Sequence, residues 1–64
     1  MTEKELLYLE DAYEHECITL DTLNTMMDNT TNDEILSFIE DELNKHKLIK
    51  KSVIRLMESE ANEW

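Results

Sequence analysis

Glu16, Glu42 and His46 are the residues with chemistry to offer, because helical spacing sets all three among apolar side chains. At 100° per residue, Glu16 falls inside a face formed by Leu6, Leu9, Ala12, Tyr13, Leu20, Leu23 and Met27. Glu42 and His46 fall near the middle of a second face, formed by Ile35, Ile39, Ile49, Val53 and Leu56. A carboxylate or imidazole withdrawn from water is costly unless something pairs with it. Three arrangements meet that demand. In the first, His46 bonds one glutamate and Lys45 or Lys50 neutralises the other. In the second, the three groups from two chains hold a metal, and hard carboxylates with imidazole suit iron or manganese. In the third, the positions stay wet.

Two helices must position these groups. Thr2-Glu3-Lys4-Glu5 has the spacing of a capping box, so the first helix is expected from about 3 to 28. Asn29-Thr30-Thr31-Asn32 is the one convincing turn, and Asn29 is suited to a left-handed helix end. Thr31-Asn32-Asp33-Glu34 offers a second capping box, which predicts a helix from about 33 to 58 and a fraying tail over 59–64. Helices of this length joined by about four residues fold back antiparallel. Glu16 then lies level with the layer bounded by Glu42 and His46.

Composition narrows the class. The chain has 64 residues, with neither Gly nor Pro, so an all-α single domain is expected. A chain this small buries only about 60% of the surface its unfolded form exposes, which makes self-association the default. Leu7, Ile18 and Met26 flank one face, and Leu36, Leu43 and Ile54 flank the other, a wider arc than one neighbour requires. Two hairpins docked into an antiparallel four-helix bundle would cover it.

Sixteen acidic and six basic side chains give a net charge of −10, which argues against nucleic acid and anionic membranes as partners. The charge is segregated. Residues 1–42 carry thirteen acids with Lys4 as their one base, whereas residues 43–55 carry Lys45, Lys47, Lys50, Lys51 and Arg55 and no acid. Folding back sets that basic stretch beside Glu3, Glu5, Glu10, Asp11 and Glu14, where surface pairs would orient the helices. There is no apolar run long enough for a membrane span, and the acidic start differs from a signal peptide, so a cytoplasmic location is expected. Cys17 lies on the apolar side as a small core residue, with a disulfide across a two-fold as the minor alternative.

Other residues carry less. His15 reads as a solvated surface histidine, Tyr13 as a core tyrosine within a turn of Glu16, and Met26 and Met27 as adaptable packing. Trp64 closes a polar tail without a context that assigns it a role. No Ser, Thr or Cys stands near a base with a third orienting group, and a phosphate loop requires glycine, so no catalytic or cofactor-binding residue is assigned.

The segment Ala12-Tyr13-Glu14-His15-Glu16, with Phe38 to His46 after it, resembles half of a ferritin-like bundle, in which one helix gives a glutamate and the next a glutamate–histidine pair. That resemblance implies Glu16, Glu42 and His46 as ligands. It departs from the family in one respect: the position three before the histidine is Leu43, and Glu42 stands four before. The opening Met1-Thr2-Glu3-Lys4-Glu5-Leu6, the run Tyr8-Leu9-Glu10-Asp11-Ala12 with His15-Glu16, and Lys45-His46 also look like the short spore coat F-type proteins of spore-forming anaerobes. This implies a non-catalytic, self-associating structural protein with metal sequestration as an added role. Its partners would be itself and other coat proteins, and its final place a spore surface. The competing readings are a small iron or manganese metalloprotein across a homodimer and an acidic charge mimic that inhibits a basic partner.

Overall fold

The computed structural model describes residues 1–61, and among them the architecture is two helices with no strand, α1 (Glu3–Asn29) and α2 (Asp33–Ala61). They pack side by side as a hairpin 48 Å long and 14 by 12 Å across. The second helix continues through Ala61, three residues past the expected end near 58, and the role of Trp64 lies outside the described residues.

Local chemistry explains the helix ends. At the start of α1 the Glu5 amide donates to Thr2 Oγ1 at 3.1 Å, and the Thr2 amide donates to Glu5 Oε1 at 3.0 Å. These reciprocal bonds form the capping box that the spacing predicts. The other end differs from expectation. Asn29 is the last helical residue and its side-chain amide donates back to the Thr25 carbonyl at 2.7 Å, while Thr30 turns the chain out in an extended conformation. No described residue adopts a positive φ. With its side chain engaged behind it, Asn29 serves the helix end without the left-handed step. The second N-cap also moves by one residue. Asn32, not Thr31, accepts from the Ile35 amide through Oδ1 at 3.0 Å, and its carbonyl accepts from the Leu36 amide. Thr30 Oγ1 in turn accepts from the Asn32 amide at 3.2 Å, closing the turn.

The face of α1 that meets α2 is the one the spacing predicts: Leu23 is buried, and Leu6, Leu9, Ala12, Tyr13, Leu20 and Met27 are half-buried. On α2 the inward line is rotated from the expected face. Ile39, Leu43 and Val53 are buried, and Leu36, Ile54 and Met57 are half-buried, whereas Ile35, Ile49 and Leu56 are exposed. The physical reason is the width of the apolar arc on α2, of which a single neighbour covers only part. The core centres on Leu23, Ile39 and Leu43, with Leu20 and Met27 packed against them.

Ile39 is fully buried, so Ile39→Ala is expected to lower stability by about 2–5 kcal/mol, read from urea denaturation. A second expectation concerns acid. The Thr2 amide and hydroxyl hold the Glu5 carboxyl below 4.5, its ordinary value. A depressed folded-state value means that its contribution is present above the unfolded value and is lost as pH falls through the folded one. Glu5→Gln should therefore flatten the decline of thermal stability below about pH 4.5, where the two states diverge in proton uptake.

Candidate functional site

Halfway along the hairpin the apolar seam is interrupted by three ionisable groups. Glu16 comes from the inner face of α1, between the turns carrying Tyr13 and Leu20. Glu42 and His46 lie one turn apart on α2, so both reach the same layer. His46 Nδ1 is 2.6 Å from Glu16 Oε2, and His46 Nε2 is 3.4 Å from Glu42 Oε2. The side chains of Glu16, His46 and Glu42 retain 14%, 21% and 28% of their exposure, so the cluster lies at the edge of the seam, within reach of water.

The imidazole bridges the two carboxylates. A carboxylate oxygen only accepts, so His46 Nδ1 is the donor in the hydrogen bond to Glu16, while Nε2 faces Glu42 at ion-pair distance without a hydrogen bond to it. This departs from the arrangement in which a lysine neutralises the second glutamate. Lys50 Nζ instead lies 5.3 Å from the centroid of the Tyr13 ring, a cation–π contact across the two helices, and Lys45 is exposed. The sequence signal for that contact was a basic residue at an inward helical position, but the spacing alone did not pair it with an aromatic ring.

The geometry is that of a polar contact between the two helices and not of a chelate formed by one chain. The two ring nitrogens diverge, each toward a different carboxylate, so the three donors do not aim at one point. Among the described residues no group of three or more His, Cys, Asp or Glu side chains is arranged to hold a metal ion. His15 is exposed, and Cys17 is a half-buried free thiol. The basic stretch also behaves differently from expectation: among the described residues, Lys45, Lys47, Lys50, Lys51 and Arg55 make no ion pair with an α1 carboxylate. Lys50 is half-buried against Tyr13, and the exposed Lys45, Lys47, Lys51 and Arg55 act through the general field of the hairpin.

No family model matches the chain, and no curated protein or solved structure is detectably similar to it. Among the described residues no helix is long and apolar enough to cross a membrane.

Removing one side of the bridge should cost more than removing both. His46→Leu strands the half-buried Glu16 carboxylate and is expected to lower stability by about 1–3 kcal/mol. Adding Glu16→Leu replaces that pair with apolar contact and should recover most of the loss. Urea denaturation of the wild type, both single variants and the double variant measures the coupling.

Proposed function

We propose that this chain is a non-catalytic, self-associating helical protein with a structural or assembly role, of the kind that the ferritin-like and spore coat resemblance implies. The observation that carries this reading is the surface it leaves open. The hairpin buries Leu23, Ile39, Leu43 and Val53, while Leu7, Tyr8, Ile18, Phe38, Leu48 and Leu56 are each more than half exposed. The chain exposes 5088 Å², against about 4,300 Å² for a compact monomer of 7.6 kDa. That surplus reflects an elongated hairpin whose outer apolar side chains stay uncovered. Two hairpins forming a four-helix bundle would cover them.

A second reading rests on the shared layer of Glu16, Glu42 and His46. Two chains would bring together four carboxylates and two imidazoles, a set suited to iron or manganese, once each imidazole gives up one of its present carboxylate contacts.

One untagged preparation of the 64-residue chain tests both. Sedimentation equilibrium is expected to show a mass that rises with concentration to at least a dimer, and a monomer throughout the micromolar to millimolar range would overturn the assembly reading. Elemental analysis of the same sample is the check on the second: iron or manganese at or above one ion per two chains supports it, and less removes it.

A further inference from the structure

We infer that two copies join through one flank of α2, with the two α2 helices antiparallel and Phe38 set against Ile49 of the partner subunit. This rests on the assembly reading and names the face that carries it.

The first observation is a stripe. Ile35, Phe38, Glu42, Lys45, Ile49 and Leu56 follow one another in steps of three, four and seven residues, the repeat that keeps one line of a helix turned toward a neighbour. Within the hairpin only Glu42 of that line is engaged, by His46 one turn further along the same helix, and its apolar members are left open. Phe38 is 59% exposed and Leu56 53%, and Ile35 and Ile49 are exposed as well. Both ends of the stripe are apolar, and its middle is an acid followed by a base.

The second observation is charge order along α2. From 33 to 42 the helix carries Asp33, Glu34, Glu40, Asp41 and Glu42 and no base; from 43 to 55 it carries bases and no acid. Two such helices laid parallel set like charges together, and laid antiparallel they set acids on bases. Centring the crossing between Leu43 and Asn44 brings Glu42 to Lys45 of the partner subunit and Phe38 to Ile49 of the partner subunit. Glu34 then comes beside Arg55 of the partner subunit.

The third observation comes from α1. Tyr8 and Met26 are exposed apolar residues of α1 at a common angle, apart from the outer pair Leu7 and Ile18, and the midpoint between them is residue 17. Glu16 and His46 are in contact, so that midpoint stands close to the height of the proposed α2 crossing. One two-fold axis therefore also sets Tyr8 against Met26 of the partner subunit. The acids Glu3, Glu10, Glu14, Asp21 and Asp28 lie together on the far side of α1 from Tyr8 and Met26, so α1 offers little charge to a partner's α2. The opposite flank of α2 is a poorer surface for a second copy. Its depression is lined by Leu20 and Ile54 with Lys47, Lys50 and Lys51, and two copies meeting there would oppose ammonium groups.

Charge reversal tests the register, because Glu34 and Arg55 are about 31 Å apart along one helix and cannot pair within a chain. Sedimentation equilibrium on the full chain is the readout, with circular dichroism confirming helix content. Glu34→Arg and Arg55→Glu are each expected to weaken dimerisation about tenfold, since both copies of the pair become repulsive, and the double variant should return to within about threefold of wild type. Phe38→Ser should weaken it by at least about tenfold, and Ile18→Ser, on the outer side of α1, by less than about threefold. A wild type that associates but shows no rescue in the double variant overturns the antiparallel α2 pairing and leaves the assembly reading standing. The same holds if it is weakened more by Ile18→Ser than by Phe38→Ser. A wild type that never associates overturns the assembly reading itself.

Discussion

Two helices share one seam, and that constraint governs everything else in this protein. A helix in contact with a single neighbour can bury only part of its circumference, whatever the number of apolar residues it carries. Here the seam closes over Leu23, Ile39, Leu43 and Val53. Side chains only a little further round, such as Phe38 and Ile49 on α2, are left in water although they are as apolar as those inside. The hairpin therefore has a coherent core and an incomplete surface at once.

The same constraint gives the Glu16–His46–Glu42 bridge its place. Set within a wide interior, three ionisable groups would carry a severe desolvation cost. At the edge of a two-helix seam they keep some contact with water while still finding one another, so the cost is moderated and the contact is specific. Sliding α2 by one turn past α1 would part His46 from Glu16 and leave both groups against apolar neighbours. The bridge thus acts on register more than on total stability, as does the Lys50 ammonium over the Tyr13 ring nearby.

Charge acts over a longer range than either contact. The basic stretch makes no direct ion pair with α1 among the described residues, yet it lies at the end of the hairpin where the first half of α1 is acidic. That placement favours the fold-back weakly. The stronger consequence concerns a second chain, since an acidic half and a basic half on one helix distinguish antiparallel from parallel neighbours.

Much of this is legible in the residues alone. The two helices, the capping box at Thr2 and Glu5, the inward face of α1 and the common height of Glu16 and His46 follow from interactions within a few residues or from counting turns away from the loop. The rotation of α2 was not legible. Its apolar arc admits several inward lines, and only the shape of the facing helix selects Ile39, Leu43 and Val53 over Ile35, Ile49 and Leu56. The turn shows the same division at a smaller scale. Its polar residues announce a break, but Thr30 and Asn32 assume their capping roles only when the path between two packed helices is set. The bridge, too, needed the fold: turn counting from the loop brings an imidazole and two carboxylates to one layer, whereas the packing of α1 on α2 sets both ring nitrogens toward carboxylates and Lys50 toward Tyr13. Local periodicity specifies which residues share a face, and packing between two surfaces alone specifies which part of that face is used.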